Sequence, residues 1–226
     1  IRALTGIALT AALLGGCMDL DVTNPNEPDR ERVLSTPTDV QSLISTSYQA
    51  YFDHVQATNP GLSTAAMADN LTGGFYDLGT HDISVQPRTP FDASPLNTRG
   101  AVGRFSWSRI YPIISNVTDG LAAIDAGLVI NTGPNGSDQI ARARAFGKFV
   151  QGLAHGHLAQ YFDKALIVTE DTDLEVMDPT DFRPYTEVQQ AALEMLDEAI
   201  QIAENNEFTI PGSSDWINGV QMNSAE

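Results

Sequence analysis

Apolar residues recur every three or four positions along most of this chain, which is the spacing of one face of a helix. Val40, Leu43, Ile44, Tyr48, Tyr51, Phe52 and Val55 form the first such stripe. Thr36 is placed to cap it, Pro37 suits the first helical position, and Asp39 sits near the positive end of the dipole. Asn59-Pro60-Gly61 is expected to end this helix, and a shorter one is expected from Leu62 to about Leu71, stopped by Gly73-Gly74. A third helix carries Trp107, Ile110, Tyr111, Ile114, Val117, Leu121, Ile124 and Leu128, with Pro112 inside the pattern, where it either starts the regular helix or kinks it. After the turn at Asn131 to Gly136, a fourth is expected from about Asp138 to Ala165, with Phe146, Phe149, Val150, Leu153, Leu158 and Phe162 on its apolar side. Three glycines in it, Gly147, Gly152 and Gly156, each cost about 1 kcal/mol against alanine, so they point to a closely packed neighbour. A fifth helix begins at Thr186 and Gln189, in capping-box spacing, with Val188, Ala192, Met195, Leu196, Ala199 and Ile202 as its stripe.

No segment of real length alternates with the period of a strand. The pattern therefore predicts an all-α fold of helical hairpins with long irregular loops. Residues 73 to 103 hold no sustained period and are rich in glycine and proline; Phe75, Tyr76, His81 and Phe91 lie among them. A loop of that length in a folded domain is more often functional than accidental. A second irregular stretch runs from Ile167-Val168 to Tyr185. From Asp163 to Glu207 there are thirteen acidic residues against Lys164 and Arg183, which reads as a solvated face. The tail from Phe208 to Glu226 has no closing element, so further chain is expected after it.

The start of the chain has a different pattern. The apolar run Ile7 to Leu14 is followed by Gly15, Gly16 and Cys17, the only cysteine present. A short apolar segment ending in small residues has the form of a secretory signal with its cleavage site. Leu14-Gly15-Gly16-Cys17 resembles the lipobox of bacterial lipoproteins. The resemblance implies that residues 1–16 are removed and that Cys17 becomes an acylated first residue. More than one acyl chain is needed for lasting attachment to a bilayer, and a triacylated cysteine supplies three. Because the chain opens on Ile1 with Arg2 as its one basic flank, a few preceding residues are expected. Residues 17–34, with Asn24-Pro25-Asn26 and Glu27-Pro28-Asp29, read as an extended tether. Asp19 and Asp21 resemble the acidic signal that carries some lipoproteins to the cell surface. Residues 35–226 make up the helical domain.

Charge narrows the partners. With 12 Lys and Arg against 29 Asp and Glu, the net charge is −17. Nucleic acid and anionic lipid both need a basic face, so neither is expected as a partner. One cysteine leaves no internal disulfide. No Gly-x-Ser-x-Gly and no phosphate loop is present, no cofactor is implied, and no enzyme activity is expected. His155 and His157 stand two apart in a helix, point to different sides and cannot chelate one ion; His54 and His81 lack ligand spacing.

Taken in order, these residues resemble the SusD/RagB family of surface glycan-binding lipoproteins. Cys17 with Asp19-Leu20-Asp21 and Asn24-Pro25-Asn26 is similar to the family's start. Trp107, Tyr111, Ile114 and Asn116 are close to its W-x-x-x-Y-x-x-I-x-x-x-N pattern, with the asparagine two positions early. Arg142-x-Arg144-Ala145-x-x-x-Phe149 and Leu158 to Phe162 resemble its central helix, and Tyr185 to Ala203 the tetratricopeptide-like helix after it. Family members are about twice as long, so this chain is expected to be an N-terminal portion. The resemblance implies tetratricopeptide-like hairpins, an outward-facing lipid anchor at the outer membrane, a bound glycan or oligosaccharide, and a TonB-dependent, SusC-like barrel as transport partner. A lipid-anchored helical scaffold that binds proteins, without a sugar site, is the alternative. A hydrolase whose site lies beyond Glu226 is a third.

Sugar recognition needs a flat aromatic face for C–H surfaces and side-chain acceptors for hydroxyls. Asp69 and Asn70, followed by Phe75 and Tyr76, are the best such cluster in the sequence. Trp216, with Asp215 and Asn218, is second. Trp107 and Tyr111 fall on a regular stripe and are expected in the core.

Overall fold

The computed structural model describes residues 30–74, 79–130, 136–174, 176–210 and 223–225. Cys17, residues 1–16 and most of the segment expected to be a tether lie outside them, as do Phe75, Tyr76 and Trp216. The described residues form seven helices and one two-stranded ribbon: α1 (Arg30–Ser35), α2 (Pro37–Gln56), α3 (Thr58–Met67), α4 (Thr80–Ser84), α5 (Ala101–Asp125), α6 (Gly136–Tyr161), β1 (Lys164–Ala165), β2 (Arg183–Pro184) and α7 (Tyr185–Glu204). The fold is all-α. The chain divides into the units Ile1–Arg32 and Val33–Glu226, and α2 to α7 belong to the second.

Helix α6 is the centre of the packing. Its residues Arg144, Gly147 and Gln151 meet Asp125, Leu121 and Thr118 of α5 in reverse order, so these two helices are antiparallel. On another side Lys148, Gly152 and Gly156 meet Glu198, Leu196 and Ala192 of α7, again antiparallel. Helix α2 packs against both: Ile44 lies against Gly120 of α5, and Tyr48 stacks on Phe149 of α6 at 5.8 Å. The shared core contains Val40, Ile44, Ile110, Ile114, Val117, Leu121, Phe146, Val150, Leu158 and Val188. These are the positions that the helical periodicity selects.

The glycines of α6 serve as expected where the helices are closest. A Cβ on Gly147 would stand 2.8 Å from Leu121, and one on Gly152 would stand 2.9 Å from the Ala192 carbonyl oxygen. At Gly156 the space is ordinary, 3.8 Å to the Ala192 Cβ.

Boundaries differ from the sequence reading in several places: α6 ends at Tyr161 rather than Ala165, with Lys164–Ala165 in β1, and α3 ends at Met67 rather than Leu71. Asn59-Pro60-Gly61 does not end a helix. The break is at Ala57, which is extended, and Pro60 lies in the first turn of α3, where its missing N–H is not needed. Helix α5 starts at Ala101, so Pro112 is well inside it and removes one backbone bond without ending the helix. The Thr186/Gln189 box is not used, because α7 already begins at Tyr185 with Pro184 as its cap. Residues Arg30 to Leu34, read as the end of an extended tether, are helical in α1.

The acidic stretch after α6 is held by buried polar contacts. The His155 Nδ1–H donates to the Gln151 carbonyl at 2.8 Å, and its Nε2 accepts the Val168 N–H at 3.1 Å. The Tyr111 hydroxyl accepts the Leu166 N–H at 2.7 Å. Glu170, 6% exposed, pairs with Lys148, which also reaches Glu198 at 2.9 Å. Burial pushes the Lys148 ammonium down, but the hydrogen bonds it donates to Glu170 and Glu198, with their charges, outweigh that and hold the pKa above its ordinary value. Burial likewise raises the Glu170 carboxyl, and Lys148 more than reverses that.

Candidate ligand-binding cavity

The aperiodic region between α3 and α5 folds around its own side chains. Helix α3 ends in a Schellman motif: the Asn70 N–H reaches the Ala65 carbonyl at 2.9 Å and the Asp69 N–H the Ala66 carbonyl at 3.3 Å, with Asp69 left-handed at φ 59°. Arg88 then joins the two sides. Its guanidinium donates to the Ala66 carbonyl at 3.0 Å, to the Ile83 carbonyl and to the Asp69 carboxylate. Ser84 Oγ accepts the Gly73 N–H at 2.9 Å and donates to the His81 carbonyl at 3.0 Å. Gly79, at φ 90°, tolerates no side chain, since a Cβ there would lie 2.3 Å from the Arg99 carbonyl oxygen.

Beyond Arg88, Asp92 and Asn97 organise the loop. Asp92 Oδ1 accepts the Ser94 N–H at 2.9 Å, which holds its carboxyl below the usual range. The Asn97 amide donates to the Asp92 carbonyl at 2.7 Å and accepts the Arg99 N–H at 2.9 Å.

These contacts border an open cavity of about 520 Å³ whose lining includes His81, Asp82, Phe91, Asp92, Asn97 and Arg99. The volume lies in the range of small-ligand sites. Phe91 rests its edge near Gly79 and Gly103, where a side-chain carbon would come within 3.3 and 3.5 Å of the ring. In the same lining Arg99 Nε is 3.0 Å from Asp82 Oδ2, and His81 Nδ1 is 3.8 Å from Asp82 Oδ1. The site thus offers an aromatic surface beside paired hydrogen-bond donors and acceptors.

Of the sequence candidates, Asp69 and Asn70 are exposed but do not line this cavity. Asp69 is bound to Arg88 and serves the turn. Phe75, Tyr76, Trp216 and Cys17 are not among the described residues. Two loop residues noted in the sequence, His81 and Phe91, do line it. Asp82, Asp92, Asn97 and Arg99 were not singled out. Their only sequence signal is the short Asp-x-Ser and Asn-x-Arg turn spacing of Asp92-Ala93-Ser94 and Asn97-Thr98-Arg99.

A second polar cluster is buried where α2, α3, α5 and α6 meet. His54 Nε2 and His157 Nε2 lie 3.3 and 3.4 Å from the Ser106 hydroxyl, and the Tyr161 hydroxyl donates to the Pro60 carbonyl at 2.6 Å. His155 and His157 do point to different sides, as their spacing requires; the partner of His157 is His54, 5.4 Å between ring centres. Burial, then His54, lowers the His157 pKa to about 4. Among the described residues no three His, Cys, Asp or Glu side chains are grouped to hold a metal ion. Trp107 and Tyr111 pack against the core, half-buried, 4.6 Å apart.

Among the described residues no helix is long and apolar enough to cross a membrane. Compared with family models, curated proteins and solved structures, the chain has no match.

Proposed function

We propose that this chain is the helical body of a surface lipoprotein that captures glycans without cleaving them, of the SusD/RagB kind. In this reading Cys17 carries the lipid at the outer membrane, α5 to α7 are tetratricopeptide-like hairpins, and the bound sugar passes to a TonB-dependent, SusC-like transporter. The observation that carries the sugar site is the cavity beside Phe91, where an aromatic ring stands next to the Asp82–Arg99 pair. The ordered series of motifs from Cys17 to Ala203 supports the family reading.

Isothermal titration of the full-length protein against a panel of polysaccharides tests it. At least one glycan binds, and Phe91→Ala weakens that binding by about fivefold, or ~1 kcal/mol, with the melting temperature little changed. An absence of heat across the panel rejects the reading. It would favour the alternative, a lipid-anchored scaffold for proteins, which has its own support in Leu193 and Ile200. These residues of α7 are 49% and 53% exposed and sit two turns apart on one face.

A further inference from the structure

We propose that this cavity selects neutral sugars, gripping adjacent hydroxyls with Asp82 and Arg99, and rejects glycans that bear carboxylate or sulfate groups. The inference rests on the glycan-capture reading and names the ligand class for that site.

Arg99 Nε lies 3.0 Å from Asp82 Oδ2, and the imidazole of His81 faces the other oxygen of the same carboxylate. An acidic sugar that approached Arg99 would bring its charge beside Asp82, and like charges at such range repel. Asp92 supplies a second carboxylate to the lining. The nearby cations are committed elsewhere. Arg88 serves Asp69 and two backbone carbonyls, and Arg104 donates to the Asn97 carbonyl at 2.7 Å. At longer range the chain's charge of −17 slows the approach of a polyanion.

Hydroxyls fit the same groups well. Each hydroxyl both donates and accepts, whereas a carboxylate or sulfate only accepts. Two neighbouring hydroxyls find an acceptor in Asp82 and a donor in Arg99 side by side. The Asn97 amide is taken up by the Asp92 carbonyl and the Arg99 N–H, so the charged pair provides the discrimination.

The test is titration with two sets of probes: dextran, mannan and laminarin as neutral glycans, and polygalacturonate, alginate and chondroitin sulfate as acidic ones. The proposal expects binding within the neutral set that changes little between low and high salt and falls about tenfold in Asp82→Asn and in Arg99→Gln. It expects the acidic set to bind at least about tenfold more weakly, and Asp82→Asn to narrow that gap. Arg99→Gln risks disturbing the loop, so Asp82→Asn, a near-isosteric change, carries the decision if only one variant folds. Acidic glycans that bind as tightly as neutral ones overturn the selectivity while leaving glycan capture standing. Neutral binding that ignores both substitutions overturns the assignment of this cavity. Binding by neither set removes the capture reading and this inference with it.

Discussion

His155 and Val168 are joined through the one imidazole nitrogen that carries no proton: Nε2 accepts the Val168 N–H at 3.1 Å. Because Nδ1–H is bound to the Gln151 carbonyl, both nitrogens are used and only the neutral ring fits. The side chain is fully buried, and burial lowers its pKa to about 4 against the small opposing effect of the Gln151 carbonyl.

Acid should therefore loosen the fold before its carboxylates titrate. His155 and His157 both have folded pKa values near 4, below the ordinary 6.5, so the unfolded chain holds more protons between those limits. Stability is complete above pH 6.5 and falls as pH drops toward 4, by an amount on the order of 3 kcal/mol for each group. Urea unfolding at pH 7 and pH 5 checks it. A free energy that is flat between them would show that neither ring is held neutral.

Lys148→Met should destabilise the protein by about 3 kcal/mol or more, since it leaves the buried Glu170 carboxylate without its cation. The double variant Lys148→Met, Glu170→Gln should recover much of the loss. A cycle in which the two losses simply add would show that the pair does not interact.

The two glycines facing Ala192 should respond oppositely to alanine. At Gly152 the new carbon presses on a backbone oxygen at 2.9 Å, which α7 relieves only by moving, so Gly152→Ala should cost about 1–3 kcal/mol. At Gly156 the neighbour is 3.8 Å away, and Gly156→Ala should gain about 0.5–1 kcal/mol through helix propensity. Melting temperatures shifted in the same direction would contradict this packing.

Cys17→Ala should free the protein from membranes if its lipid is the anchor. Labelling with a palmitate analogue followed by fractionation is the measurement. A variant that still labels and still sediments with membranes would end the lipoprotein reading.

The long helices were readable because burial imposes a period. Val40, Ile44 and Tyr48 on α2, and Val188, Ala192, Met195 and Ala199 on α7, all turn toward neighbours as their spacing requires. What the period cannot convey is contact between distant segments. His54 and His157 meet only because α2 and α6 run side by side past Ser106. The cavity was harder still to anticipate. Phe91 and His81 were visible as loop residues, but Asp82 meets Arg99 in a loop shaped by Gly79, Asn97 and Arg88, whose roles lie in contacts to the backbone of other residues. Asp69 has acceptor chemistry suited to a sugar hydroxyl; in the fold its carboxylate, at the C-terminus of α3, is bound to Arg88, a contact between residues nineteen apart that the sequence does not display.

Arg88 lies between two cavity-lining residues, Pro87 and Thr89, while its side chain fastens α3 to α4. It acts as a noncovalent cross-link across the chain from Ala66 to Ile83. Closing a loop of that length costs conformational entropy once. Here that loss falls on folding, so a ligand that meets His81 and Asp82 would spend less of its binding energy on positioning that side of the cavity.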